Sequence, residues 1–171
     1  MGCDIHIQVE MQIDDDWQIV PGPIVDCYCC HGTALDSQGE MACYFCTEND
    51  GPFDPYFVGP GKIHTQWFGD RNYDLFAYLA DVRNYDNVTP LEYHEGYPQD
   101  RSLDVEVWYA NSGGRSEDAH SHAWIEFHKL VQFLGTIASR DDNLGHVKCE
   151  AMDLCSITGE HPVRLIYWFD N

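Results

Sequence analysis

Hydrophobic and polar residues alternate from Asp4 to Met11, with Ile5, Ile7, Val9 and Met11 on one side and Asp4, His6, Gln8 and Glu10 on the other. A period of two marks a half-buried strand. Ile13-Asp14-Asp15-Asp16-Trp17 predicts a hairpin turn into a short second strand through Val20, stopped by Pro21-Gly22-Pro23. Residues 49–70, rich in Gly, Pro and aromatics, predict an ordered loop. The period then lengthens. Behind Asn72 as a cap, Leu75, Phe76, Leu79 and Val82 form a helical stripe that ends at Arg83-Asn84. Residues 84–102 read as loop, broken by Pro90 and Pro98, and Leu103, Val105, Val107 and Tyr109 alternate as a strand before a turn at Gly113-Gly114. His120 to Trp124 reads as extended, followed by a helix from about Glu126 to Ser139 carrying Leu130, Val131, Leu134 and Ile137. The segment Val163 to Phe169 is nearly continuous apolar and ends in Asp170-Asn171. Such a run predicts a strand covered on both faces.

These elements predict an α+β fold: a small, mainly antiparallel sheet with two helices. The 171 residues suit one domain, 1–171, with an insertion at about 26–50. That insertion is where cysteines concentrate. Cys27, Cys30, Cys43 and Cys46 give a C-x2-C pair, twelve residues, and a second C-x2-C pair. Each pair offers two thiolates on one side of the backbone, and four together complete a tetrahedron around Zn²⁺ at about 2.3 Å per sulfur. Cys29 or His31 could replace one thiolate. Four protein ligands close the shell, so this zinc knuckle is expected to be structural, folding a loop too short to bury a core. Disulfides and free thiols are the alternatives, and no secretory leader opens the chain to favour disulfides.

Charge narrows the possible partners. With 29 Asp+Glu against 9 Lys+Arg, the formal net charge is −20. Such a surface repels phosphate backbones and anionic membranes, so direct nucleic-acid backbone binding is not expected. No run reaches the ~18 apolar residues of a membrane span. The expectation is a cytoplasmic protein that handles phosphate through a bound cation or binds a basic protein surface.

A second site can be drawn from the strands. Asp4 and His6 share a strand face, and His120 and His122 do the same if their segment is regularly extended. With Asp170 at the end of the last strand, Asp4, His6, His120, His122 and Asp170 would suit a second divalent metal with room left for water. The cation would offset repulsion of an anionic phosphoester and generate a hydroxide near neutral pH. Arg71 and Arg83 are the candidates to hold the substrate anion. Each feature also has an ordinary structural role. Asp-x-His can be a surface hydrogen-bond pair, His-Ser-His can cap a helix, and an arginine beside an acidic helix can be a surface ion pair. Cys3, with His6 or His120 as base, is a further candidate nucleophile; a buried small residue or a metal ligand is the alternative. Cys149 and Cys155 have no evident partner.

The blocks Met1-Gly2-Cys3-Asp4-Ile5-His6, Arg71 to Ala77 with Leu79 to Asn84, His120-Ser121-His122-Ala123-Trp124, and Val163 to Asn171 together resemble a family of small bacteriophage and prophage proteins that open with the same MGCDIH string. The resemblance covers about forty residues and departs at Thr89 to Gly114. It implies a phage origin and a place in the host cytoplasm, and leaves the chemistry open. Two functions fit. One is a metal-dependent hydrolase of a small phosphoester or nucleotide. The other is a non-catalytic acidic binding protein acting in counter-defence, as a host-factor inhibitor, DNA mimic or nucleotide sponge.

Overall fold

The computed structural model of the chain describes residues 3–26, 57–59, 62–69, 71–111, 114–136 and 144–170. Its alternating N-terminal segment is strand β1 (Asp4–Ile13), which turns at Asp14-Asp15 into β2 (Asp16–Ile19). Both turn residues take positive φ, +50° and +69°, the twist that a two-residue hairpin loop demands and that aspartate tolerates better than most residues. The apolar run near the C-terminus is β8 (Val163–Asp170). It pairs with β1 from Asp4↔Asp170 to Met11↔Val163 and on its other side with β7 (His120–Glu126). A two-residue strand, β6 (His94–Glu95), completes an antiparallel sheet of order β2–β1–β8–β7–β6. β8 is therefore the central strand, and Val163 to Phe169 are all buried.

One face of the sheet carries Ile5, Ile7 and Val9 of β1 with Leu165, Tyr167 and Phe169 of β8. Helix α1 (Tyr73–Ala80) packs there. Its Phe76 ring meets Phe169 edge-on at 5.2 Å, and Tyr167 donates its hydroxyl hydrogen to the Leu79 carbonyl at 2.8 Å. Asn72 caps α1, accepting from the Leu75 amide at 3.0 Å, and Asp81 ends it in the left-handed conformation. Two later helices extend this layer. Of these, α3 (Phe127–Thr136) packs on β7 and β8; its Phe133 ring stands 4.1 Å from Tyr78 of α1. Helix α4 (Gly145–Thr158) packs on α3.

The opposite face is covered by α2 (Leu103–Asn111), whose Trp108 ring lies 4.4 Å from Trp168. This corrects the expected strand at Leu103 to Tyr109. Alternation there is accidental: Leu103 is 72% exposed, while Val105 and Trp108, three apart, are buried. Ser102 sets the helix start, its hydroxyl accepting from the Val105 amide at 3.2 Å. The described residues thus contain four helices, two more than expected. The added α4 buries Val147, Ala151, Leu154 and Thr158 at helical spacing, but exposed Met152 and Ile157 blur its stripe. Glu126 belongs to β7, so α3 begins one residue later than expected.

Because α2 covers this face, the polar side of β1 is not solvated as its pattern suggests. Glu10 is 0% and Arg164 2% exposed. They are register partners on β1 and β8, with Arg164 Nε donating to Glu10 Oε2 at 2.7 Å. Glu10 Oε1 accepts from the Ser102 amide at 2.7 Å. Arg164 Nη1 reaches Asp100 at 2.7 Å, and the guanidinium stacks 3.8 Å from the Trp17 ring centroid. Each charge is thereby paired and hydrogen-bonded, as burial requires.

Contacts divide the chain into two units, Met1–Val20 with Phe68–Asn171, and Pro21–Trp67. Within the second, β3 (Ile24–Asp26), β4 (Phe57–Gly59) and β5 (Lys62–His64) form an antiparallel sheet of order β3–β5–β4. Trp67 Nε1 donates to the Pro21 carbonyl there at 3.0 Å. The predicted knuckle cysteines Cys27, Cys30, Cys43 and Cys46 lie outside the described residues.

Replacing Arg164 by Met should destabilise the protein by about 3–5 kcal/mol, because it leaves the Glu10 carboxylate buried and unpaired. Glu10→Leu combined with Arg164→Met should recover most of that loss. Urea unfolding of the single and double variants measures both.

Candidate functional site

Two carboxylates face each other where β1 and β8 meet. Asp4 and Asp170 are register partners, and like charges directly opposite on a sheet repel. Each is offset by its own cation or donor. Arg71 donates from Nε to Asp4 Oδ1 at 2.7 Å and also pairs through Nη2. His6 Nε2 lies 3.0 Å from Asp170 Oδ2. As the carboxylate is the acceptor, Nε2 carries the proton and the lone pair of neutral His6 sits on Nδ1.

Strand register also sets the His6 ring. Its partner across the ladder is Trp168, and the two rings stack with centroids 4.7 Å apart and planes 7° from parallel. Trp168 is fully buried, so the platform is rigid, while the His6 side chain keeps 25% exposure. His6 is therefore held by a stack and a hydrogen bond yet remains reachable from solvent.

Cys3 lies beside this pair and is buried. Burial pushes its thiol pKa up, while the charge of Arg83 and a hydrogen bond from it oppose the shift; Asp170 and Asp4 add to the rise. The thiol is thus the dominant form near neutral pH, which weakens the case for a thiolate nucleophile. Arg83 itself takes φ +54°, a costly conformation for a non-glycine residue. Its guanidinium also donates to the Tyr85 hydroxyl at 3.4 Å, and that bond favours its charged form. A hydrogen bond to Asp4 does the same for Arg71.

The two histidines of β7 do not share a face. Pairing runs from His120↔Phe169 to Ala123↔Tyr167, three steps on β7 against two on β8. The extra residue is a bulge, with Ser121 at φ +51°. His120 stays beside Phe169, 6.0 Å between ring centroids, with Nδ1 3.0 Å from Ser121 Oγ. His122 turns to the α2 side, where Nε2 donates to the Gly114 carbonyl at 3.2 Å and lies 3.5 Å from Tyr109 Oη. So Asp4, His6 and Asp170 gather at one end of the sheet, Arg71 pairs with Asp4, and Arg83 reaches this end through Cys3. His122 is on the same α2 side, against the Tyr109 ring, while His120 is on the α1 side with Phe169. Among the described residues, no three His, Cys, Asp or Glu side chains stand in an arrangement that could hold a metal ion.

Chemically, the His6–Asp170 pair resembles a base and its orienting carboxylate: Asp170 fixes the tautomer, and Nδ1 can take a proton. Trp168, on which His6 stacks, is the candidate-site residue that the pattern of the sequence hides. Arg164, Ile166, Trp168 and Asp170 share a face by period two, but the apolar residues between them merge the signal into one run.

Native protein treated with iodoacetamide at pH 7.5 should be alkylated at exposed Cys149 and Cys155 well before Cys3, which should react only after unfolding. Peptide mass mapping over a time course measures the order. Rapid labelling of Cys3 would show that its burial and raised pKa do not protect it.

Compared with protein-family models, curated proteins and solved structures, the chain matches none, so a functional reading of this site rests on its own side chains.

Proposed function

We propose that the protein is a hydrolase of a small phosphoester or nucleotide, encoded by a phage of the MGCDIH type and working in the host cytoplasm. The observation that carries this reading is the 3.0 Å contact of His6 with Asp170 at a solvent-reachable sheet end where Arg71 pairs with Asp4 and Arg83 bonds Cys3. His6 Nδ1 accepts a proton from water as the water oxygen attacks phosphorus. The ester P–O bond breaks, and the protonated imidazole returns the proton to the leaving alkoxide. Arg71 and Arg83 hold the phosphoryl oxygens. A divalent cation arriving with the phosphate offsets the repulsion expected from a net charge of −20, as phosphate-bound Mg²⁺ does with few protein ligands.

His6→Ala should lower kcat by about 10²–10⁴-fold, the usual contribution of a general base. Asp170→Asn should lower it less, and Arg83→Gln should raise KM. A panel of phosphomonoesters, phosphodiesters and nucleotides, assayed with Mg²⁺, with Mn²⁺ and with chelator, is the test. The reading fails if no turnover occurs under any metal condition, or if His6→Ala keeps full activity.

The charge of −20 favours a second reading, a non-catalytic acidic protein that occupies a basic host surface in counter-defence. Salt-sensitive association with basic host proteins, without turnover of any ester, would select it. In either reading, we propose that Cys27, Cys30, Cys43 and Cys46 hold a structural Zn²⁺. Mass spectrometry of native protein should find one zinc per chain, lost when these cysteines are changed to serine.

A further inference from the structure

Away from the His6–Asp170 pair, a cavity of about 540 Å³ opens over the buried ion pair. Trp17, Pro98, Asp100, Trp124, Glu126 and Arg164 line it. Its size is that of ordinary ligand sites, and its walls are mainly apolar and aromatic with a few charged groups, the usual make-up of such sites.

Those charges decide what fits. Arg164 is already matched by Glu10 and Asp100, so the guanidinium offers no unspent charge to an anion. Asp100 accepts from Arg164 and from Trp17 Nε1, the latter at 3.0 Å, and the bond from Arg164 holds its carboxyl below the usual range. Burial works against the Glu126 carboxylate, but its own backbone amide, His94 and Lys129 outweigh that and hold it charged. Counting Glu10 below the wall and the Lys129 that pairs with Glu126 at 3.2 Å, three carboxylates face two fixed cations here, which leaves the site net negative. Beside Trp17, Asp14, Asp15 and Asp16 are all exposed, which extends the negative field outward. A tryptophan face is the best aromatic partner for a cation. The resident guanidinium lies 3.8 Å from the Trp17 centroid and 5.8 Å from that of Trp124, and the His94 ring stacks on Trp124 at 4.0 Å, so an incoming guanidinium shares these indoles with partners already in place.

We propose that this cavity is a binding site for the guanidinium of an arginine side chain presented by a basic polypeptide. A polypeptide is the source because the negative field continues past the cavity, across the Asp14 to Asp16 turn and through a net charge of −20. A ligand with several positive charges uses all of that field, whereas a lone small cation uses only the cavity. The arginine enters as an aromatic-bound anchor, the kind of residue that dominates protein interfaces. This surface is independent of turnover at His6, and a protein inactive on every ester could still carry it.

The test is a titration of full-length, ¹⁵N-labelled protein, following the indole N–H signals of Trp17 and Trp124. Three probes are compared at low and at physiological salt: a short peptide with three arginines, its isosteric citrulline counterpart, and N-acetyl-arginine methylamide. The arginine peptide should shift both indole signals and bind at least about tenfold more tightly than the single amide. The citrulline peptide should not bind, and salt should weaken the complex. Glu126→Gln and Asp100→Asn, checked for native fold by near-UV circular dichroism, should each weaken it about tenfold. Equal binding of the citrulline peptide would overturn the proposal, since the cavity would then be reading shape alone. So would arginine-peptide binding that leaves both indole signals and the Glu126→Gln affinity unchanged, because the peptide would then sit elsewhere. Binding by the single amide as tight as by the peptide would overturn the polypeptide source. No binding by any probe would overturn the site.

Discussion

The Glu10–Arg164 ion pair is the constraint from which much of the sheet's other face follows. Two unlike charges sit side by side on adjacent central strands, with virtually no access to water. Each would be costly alone, so every neighbour must supply a partner. Ser102 supplies an amide and thereby fixes the start of α2; Asp100 supplies a second carboxylate; Trp17 supplies an aromatic face that ties β2 to β8. A one-residue slip of β1 against β8 would put Glu10 opposite an apolar residue and send its carboxylate into the Leu165 and Tyr167 layer. The pair therefore selects the register, and the register is what brings Asp4 to Asp170 and His6 to Trp168.

How legible this was depends on how local the determining signal is. The β1–β2 hairpin can be read because period two and an Asp-rich turn are contained in the sixteen residues from Asp4 to Ile19. Helix α1 is equally plain, since Asn72 and the Leu75–Leu79 stripe sit together. The sequence of α2 misleads because its burial depends on Trp168, about sixty residues away, and its own alternation mimics a strand. Gln8 and Glu10 look solvated for the same reason: nothing in β1 announces that a helix will cover its polar side. Helix α4 escapes notice because Met152 and Ile157 put apolar groups on its exposed side.

The site shows the same division. Asp4, His6 and Asp170 can be picked out as polar positions at strand ends, and strand pairing explains why they meet. The sequence alone does not reveal the bulge at Ser121, because His-Ser-His is compatible with either a regular strand or an extra residue. That single insertion separates two histidines that simple alternation would have placed together. Nor does it reveal the cavity at Trp17 and Trp124, whose walls come from β2, β7, β8 and the segment before α2.

The order of strands has a consequence for how the chain reaches this state. β8 is the central strand and follows every other described element of its sheet, and its Arg164 lies 154 positions from Glu10. Until β8 is added, β1 and β7 have no strand between them, and apolar residues of both remain uncovered. Closing so long a loop before any ladder energy is gained is slow, and a nascent chain spends that interval with unpaired strand edges. Strong negative charge is well suited to that interval, because mutual repulsion between incomplete chains keeps their exposed edges from finding one another.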